Sequence, residues 1–406
     1  MRDFFFCALA ASVAALAPLP AACGVNAWQA GPAAIRVELD RGGKLNALTR
    51  PMWEALGAVL DGAGDATLLV TSADAKAFSA GADVRALADR PAAEKRSFLQ
   101  LEYETLERNP WHLVLALPTP FKRTTPAFRR CQIQPKRCSY GRDRVRARRY
   151  ETLERLRERQ APTVAVADGL AYGAGAGVFM ACAERVVTEK GALAMPECRI
   201  GLVPDAGALH FLTAHCEPAV ARYLALTGLP LNARDMVDAG LATRYVPRKE
   251  GQLEPLYAEL AAAPSSSIDA ALDRRGAPAP GRLASGLFSD ATLASVRAVF
   301  GDTGHTAGVA ARLEDARTEA RRVVGSCGWA TREAAEGVLD VLDAAADGLS
   351  RGCPTALAAT LVALERQLAD GTARHGARAM LRRNIIALAD VASSTRAGPH
   401  SRETSG

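Results

Sequence analysis

The chain has few aromatic residues, no paired cysteine motif and no long apolar run after its first 22 residues. Phenylalanine, tryptophan and tyrosine together make up 5% of the 406 residues. The nine cysteines are odd in number and scattered without a C-x-x-C pair. This pattern argues against a disulfide framework and a zinc site, and it favours a reducing compartment. Without a further apolar run of about 18 residues, no stable membrane association is expected.

Several nucleotide-binding and catalytic motifs are also missing. The sequence has no P-loop and no G-x-S-x-G nucleophile elbow. Gly173 and Gly175 begin a dinucleotide fingerprint, but Val178 occupies the place of its third glycine. His210 and His215 are five residues apart, a spacing that does not bring both onto one helix face. They are therefore interpreted as structural residues and no metal site is predicted.

The positive charge of the chain is concentrated in one segment. Residues 109–149 contain eleven Lys and Arg against one Asp, a net charge of +10 within a chain of net +6. The rest of the chain is therefore acidic. A nucleic-acid-binding interpretation depends on this segment alone, and no nucleic acid is expected as a partner of the remainder.

A short repeat delimits the same region. The letters YETLER occur at residues 103–108 and again at 150–155. When one copy and the residues between are removed, the flanking sequence reads as a single amphipathic helix that leads into the next strand. Residues 103–149 are therefore predicted to be an insertion, either a surface loop or an error of sequence assembly.

Short strands alternate with helices along the chain, which predicts an α/β fold followed by a helical region. Residues 34–40 alternate apolar and polar side chains as a half-buried strand does. The N-terminus is apolar with a single early Arg, as in a targeting segment, and a mitochondrial destination is expected while other organelles and secretion stay open. The predicted parts are a targeting segment 1–28, a core 29–262, a linker 263–285, a helical region 286–391 and a disordered tail 392–406.

One stretch combines glycines with acidic residues. A strand over 163–167 is predicted to enter a glycine loop, with an apolar helix beginning near Val178. Glu197 and Asp205 follow, each beside a proline. Exposed amides near two carboxylates favour acid/base chemistry on a polarised carbonyl group. The alternative is a tight turn with two surface acids.

Backbone amides are presented at a second predicted helix start. Gly81 and Ala82 immediately precede Asp83, a residue suited to cap the following helix. Taken alone, this motif is better explained as a capped helix without a ligand.

Five motifs occur together in a recognisable order: LNAL at 45–48, AFSAGADVRAL at 77–87, the glycine loop at 173–177, AMPECRIGLVPDAG at 194–207 and LALTGLPLNARDMVDAGLATRYV at 224–246. With them the chain resembles the crotonase (enoyl-CoA hydratase/isomerase) superfamily, and within it the 3-hydroxyisobutyryl-CoA hydrolases. The resemblance covers roughly residues 33–390 outside the insertion. It implies a crotonase-like spiral of short strands and helices, built from ββα repeats, with a C-terminal helical region.

The resemblance also implies a set of site residues. The backbone amides of Ala82 and Ala174 correspond to the family's oxyanion hole, although relatives usually have glycine where Ala174 stands. Glu197 and Asp205 correspond to the acidic pair of the hydrolase branch. Gly177 stands where hydratases carry a catalytic glutamate, so the pattern fits a hydrolase better than a hydratase.

Further substrate contacts are implied at Glu102, before Tyr103, and at Asp83, in addition to Ala174, Glu197 and Asp205. The expected reaction is hydrolysis of an acyl-CoA thioester, 3-hydroxyisobutyryl-CoA in valine degradation. It would need no metal or redox cofactor, because coenzyme A is part of the substrate.

Two other functions stay open at this point. One is an enoyl-CoA hydratase or isomerase that uses Glu197 alone. The other is a catalytically weak crotonase-like protein whose arginine-rich insertion contacts RNA. A homo-oligomer is compatible with each of these functions.

Overall fold

The computed structural model describes residues 19–20, 23–84, 143–248, 253–279, 286–301, 306–326 and 328–369. Within them the structure consists of two β-sheets and a series of helices, so the predicted α/β class is confirmed. No helix in these ranges is both long enough and apolar enough to cross a bilayer.

The larger sheet has six strands in the spatial order β1, β2, β3, β5, β7, β10. Only the β1–β2 pair is antiparallel. Parallel strands buried on both faces read as continuous apolar runs, as in residues 67–70 and 163–167. The strands are β1 Val25–Gly31, β2 Ala34–Leu39, β3 Thr67–Ser72, β5 Thr163–Ala167, β7 Glu184–Val187 and β10 Arg244–Tyr245.

The smaller sheet brings together the segments that carry the predicted site. Its spatial order is β4, β6, β8, β9, and the first three strands run parallel. The carboxyl ends of parallel neighbours meet at one edge, so the loops that follow β4, β6 and β8 are adjacent. The strands are β4 Ala77–Ser79, β6 Leu170–Tyr172, β8 Ala192–Ala194 and β9 Leu231–Asn232.

Helices cover both faces of the larger sheet and extend into a C-terminal helical region. The helices of the core are α1 Arg50–Gly62, α2 Asp143–Glu158, α3 Ala174–Ala181, α4 Ala208–His215, α5 Pro218–Thr227, α6 Ala233–Asp238, α7 Leu253–Ala262 and α8 Ile268–Arg275. Those of the C-terminal region are α9 Asp290–Phe300, α10 Thr306–Ser326, α11 Trp329–Ser350 and α12 Pro354–Ala369.

Two apolar clusters flank the larger sheet. Along β3, Leu68 and Val70 join the larger cluster while Leu69 points to the other side and joins the second. This alternation follows from the two-residue period of a strand. The second cluster is closed by α7 and α8, and the larger one continues into the helices of the C-terminal region.

The segment 263–285, predicted as a linker, contains a folded helix. Helix α8 lies within it, and Ile268, Ala271 and Leu272 are buried against the sheet. These three residues have the i, i+3, i+4 spacing of a helical apolar face. The surrounding Pro, Gly and Ser residues obscured that short pattern, so the prediction of a plain linker was wrong for residues 268–275.

Two other segment boundaries overlap with secondary structure. Strand β1 begins at Val25, inside the predicted targeting segment 1–28, and pairs with β2. Helix α2 begins at Asp143, inside the predicted insertion 103–149. The rest of that insertion, the tail 392–406 and residue Glu102 lie outside the described residues.

The C-terminal helices pack directly on the core. Helix α12 contacts α4, α5 and the 3-10 turn Pro196–Ile200. Buried Arg222 pairs with Glu365 at 2.7 Å and donates to the carbonyl oxygen of Gly301 at 2.8 Å. The helical region therefore reaches the segment that holds Glu197.

Candidate active site

A buried turn fixes the first amide loop. The turn formed by residues 45–48 receives the Gly81 loop, where the Leu48 amide donates to the Gly81 carbonyl oxygen at 2.7 Å and the Asp83 amide donates to that of Leu48 at 3.2 Å. The Asn46 side chain, fully buried, donates to Ser72 Oγ at 2.8 Å. This network uses the Gly81 carbonyl oxygen and the Asp83 amide, on either side of Ala82, and leaves the Ala82 amide outside it.

The second amide loop lies directly against the first. Gly81 has φ +96°, and a β-carbon there would lie 2.9 Å from the Tyr172 carbonyl oxygen and 3.4 Å from the Ala174 nitrogen. Only glycine permits both this backbone conformation and this approach. The two predicted oxyanion loops are therefore neighbours, although 91 residues separate Gly81 from Tyr172 in the sequence.

Helix α3 begins at Ala174, four residues before the predicted start near Val178. That prediction was wrong because the glycines were interpreted as a loop, whereas Gly175 and Gly177 lie inside the first turn of the helix. An amide at the first helical position has no acceptor within its helix and lies at the positive end of the helix dipole. Among the described residues, the amides of Ala82 and Ala174 donate to no backbone carbonyl.

Glu197 lies over this loop. Strand β8 pairs with β6, and the Gly173 amide donates to the Ala194 carbonyl oxygen at 3.0 Å. The 3-10 turn that follows β8 directs the Glu197 side chain toward Gly173, and its Oε1 lies 2.9 Å from where a β-carbon of Gly173 would be. Glu197 is only 7% exposed. The carboxylate thus lies against Gly173, the residue before Ala174, and is shielded from bulk water.

Asp205 is held near the same helix through its neighbour. Asp205 is half-buried, and Ala206 has the left-handed φ of +51°. A β-carbon on Gly177 would lie 2.5 Å from the Ala206 carbonyl oxygen and 2.8 Å from its β-carbon. The position where the resemblance places a hydratase glutamate is therefore filled by the backbone of the Asp205 loop.

Two ionisable neighbours of Glu197 contribute no nucleophile. Burial raises the pKa of the Cys198 thiol to about 12, which keeps it protonated at neutral pH, and a protonated thiol is a poor nucleophile. Burial likewise raises the pKa of Tyr172, against the opposing effect of Arg199. Both side chains are therefore uncharged at neutral pH.

The remaining predicted residues have more ordinary surroundings. Asp83 forms an ion pair with Arg41 at 2.9 Å, beside the Ala82 amide. His210 is buried, with Nδ1 3.4 Å from the Gln367 amide nitrogen. Ala206 was not among the predicted site residues. The sequence feature that points to it is the absence of a side chain at Gly177, because Ala206 fills that space.

A family comparison decides the identity of this fold. The profile described as enoyl-CoA hydratase/isomerase matches residues 34–109 and 130–393, far more than half of the chain. The chain belongs to the enoyl-CoA hydratase/isomerase family. The predicted superfamily resemblance is thereby confirmed, and the interval without a match lies inside the predicted insertion.

Similar proteins of this family include 3-hydroxyisobutyryl-CoA hydrolases. The mitochondrial enzyme of Gallus gallus is 42% identical over 106 residues, covering 26% of this chain and 27% of the relative. That of Bos taurus is 44% identical over 96 residues, covering 23% and 25%. The small ribosomal subunit protein mS47 of Arabidopsis thaliana is 44% identical over 84 residues, covering 21% and 20%. The matches thus span about a quarter of the length of these relatives.

Solved structures of the family share the fold over almost the whole chain. An enoyl-CoA hydratase from Rhodobacter sphaeroides 2.4.1 aligns with a TM-score of 0.61 at 23% identity, covering 94% of this chain and 92% of that one. A carnitinyl-CoA dehydratase from Mycobacterium thermoresistibile aligns with a TM-score of 0.58 at 20% identity, with the same coverage. These likenesses confirm the predicted crotonase-like architecture with its C-terminal helical region.

Proposed function

We propose that this member of the enoyl-CoA hydratase/isomerase family hydrolyses acyl-CoA thioesters, with 3-hydroxyisobutyryl-CoA as substrate and 3-hydroxyisobutyrate and CoA as products. The observation that carries the proposal is the buried Glu197 carboxylate that lies against Gly173, the residue before the Ala174 amide. Hydrolysis of this thioester would place the protein in valine degradation.

The two amide loops would bind the thioester oxygen. As water adds to the carbonyl carbon, negative charge develops on that oxygen, and the Ala82 and Ala174 amides would stabilise it. Removal of one such donor typically costs about 3–4 kcal/mol of transition-state stabilisation. The carbon–sulfur bond then breaks and CoA leaves as a thiolate that takes up a proton.

Glu197 would deliver the attack. Its carboxylate either adds to the carbonyl carbon, forming an anhydride that water cleaves, or removes a proton from the attacking water. Asp205 would transfer a proton or orient the acyl group. Neither route requires a metal or redox cofactor, since the amides and carboxylates supply the polarisation and the base.

Two observations support a hydrolase over a hydratase. The position of the hydratase glutamate is Gly177, and the Ala206 backbone leaves no room there for a side chain. The hydrolases of Gallus gallus and Bos taurus are also among the similar curated proteins. Because those relatives are named mitochondrial, we also propose a mitochondrial location.

One assay separates the two reactions. Release of free CoA thiol from 3-hydroxyisobutyryl-CoA is compared with hydration of crotonyl-CoA by the same preparation. Thioesterase turnover without hydratase turnover is expected. Crotonyl-CoA hydration with no release of thiol would overturn the proposal.

The residue assignment is tested with a matched pair of substitutions. Glu197→Gln keeps the shape of the side chain and should lower kcat for thiol release at least about 100-fold, the range typical for loss of an acid/base group. Glu184→Gln is the control, because Glu184 lies at the start of β7 and accepts from Thr243 Oγ1 at 2.7 Å. Wild-type turnover in the Glu197 variant would remove that residue from the mechanism.

A further inference from the structure

The turn that carries Glu197 packs against the C-terminal helical region. Cys198, the next residue, is 1% exposed. Its Sγ lies 3.2 Å from the hydroxyl oxygen of Thr360 on α12, with either atom able to donate, and 3.4 Å from the Ala225 carbonyl oxygen.

The backbone of the same turn is tied to the residues that precede α12. The Cys353 amide donates to the Cys198 carbonyl oxygen at 2.8 Å, and the Leu202 amide donates to that of Glu197 at 3.0 Å. These bonds hold the backbone of the turn at Glu197 and Cys198. Thr360 adds a side-chain contact from the helical region, and it is itself completely buried.

We propose that Thr360 is a positioning residue that acts through Cys198 to hold the Glu197 carboxylate over the amide loops. This inference rests on the proposed role of Glu197. A five-residue 3-10 turn has poor intrinsic hydrogen-bond geometry, so its orientation depends on outside contacts. Since Glu197 and Cys198 are consecutive, a rotation of the turn backbone that moves the thiol also moves the carboxylate.

Loss of this contact should affect turnover more than substrate binding. Thr360→Val removes the hydroxyl and keeps the branched shape, and it should lower kcat about tenfold because small displacements of a reacting group are costly. KM should stay within about twofold, since the amide loops are untouched. Thr360→Ser restores the hydroxyl and should return kcat to within about twofold of wild type.

A matched control distinguishes positioning from loss of stability. Thr292 is equally buried, and its hydroxyl oxygen accepts a hydrogen bond from Ser289 Oγ at 2.8 Å. This contact lies at the start of α9, away from the Glu197 turn. Thr292→Val should lower Tm as much as Thr360→Val while leaving kcat unchanged. Equal losses of turnover in the two valine variants would overturn the proposal, and so would wild-type kcat in Thr360→Val.

Substitution of the thiol tests the same contact from the other side. Cys198→Ala should lower kcat at least as much as Thr360→Val, because it also removes the contact with the Ala225 carbonyl oxygen. Adding Thr360→Val to Cys198→Ala should cause no further loss, because the Thr360 hydroxyl acts through the thiol. If Thr360→Val does not fold, the Cys198→Ala variant alone gives the answer. Additive losses in the double variant would contradict coupling.

A readout without turnover separates this inference from the proposed function. In protein labelled with ¹³C-glutamate, the resonance missing from Glu197→Gln identifies the Glu197 carboxyl group. Its chemical shift should change in Thr360→Val and stay unchanged in Thr292→Val, whichever reaction the protein catalyses. If wild type releases no thiol but this shift changes, the proposed function fails and the positioning role stands; an unchanged shift removes the positioning role.

Discussion

Gly177→Ala is the substitution whose effect follows most directly from the packing of the site. The added β-carbon would lie 2.5 Å from the Ala206 carbonyl oxygen, whereas ordinary carbon contacts begin at about 3.5 Å. Either α3 or the Asp205 loop must therefore move by about 1 Å. Ala206 already has a left-handed φ of +51°, which gives the loop few other conformations.

Both stability and turnover should fall. Overpacking of this kind costs about 1–3 kcal/mol of unfolding free energy. A displacement of about 1 Å in a catalytic group can lower turnover on the order of 100-fold. The measurements are urea unfolding and thiol release from 3-hydroxyisobutyryl-CoA.

The same chemical change in α1 should have the opposite sign. A β-carbon on Gly57 would lie 3.6 Å from Thr152 Oγ1, an ordinary contact. Gly57→Ala should therefore stabilise the protein by about 0.5–1 kcal/mol, because alanine favours a helix interior over glycine. If Gly177→Ala unfolds like Gly57→Ala and keeps wild-type kcat, the packing argument at position 177 is refuted.

Three further predictions concern stability, pH and thiol reactivity. Arg222→Ala should lower the free energy of unfolding in urea by about 1–3 kcal/mol, because it leaves the carbonyl oxygens of Phe300 and Gly301 without their donor. Burial raises the pKa of Asp235 to about 6, so its contribution to stability is lost as pH rises through 6. The free energy of unfolding of Asp235→Asn, relative to that of wild type, should therefore increase from pH 4 to pH 7. Burial raises the pKa of Cys198 and Cys216 to about 12, so peptide mapping after thiol alkylation at pH 8 should find both unlabelled in native protein and labelled after denaturation.

Elements with a strong local pattern were predictable with their bounds. Strand Thr163–Ala167 was predicted at the residues where the structure has it, and the strand predicted over residues 34–40 is Ala34–Leu39. The first is a continuous apolar run and the second alternates apolar and polar side chains, and both patterns follow from burial against the core.

Short elements escaped prediction. Strand β6 has three residues, too few for a two-residue period to stand out, and it lies among the glycines of the site. The start of α3 was placed too late because glycine has low helix propensity, so the glycines predict a loop. Tertiary packing requires glycine at position 175, where a β-carbon would lie 2.6 Å from Ser79.

The sequence by itself determined the α/β class, the family resemblance and the identity of the candidate site residues, because these depend on residue type and order. Only the tertiary structure brought the Gly81 loop to the Ala174 amide and the Glu197 carboxylate over Gly173. Those distances are set by the pairing of β6 with β8 and by the packing of the β4 loop against the start of α3, which join segments far apart in the chain. Contacts of this kind leave no local periodicity from which they could be predicted.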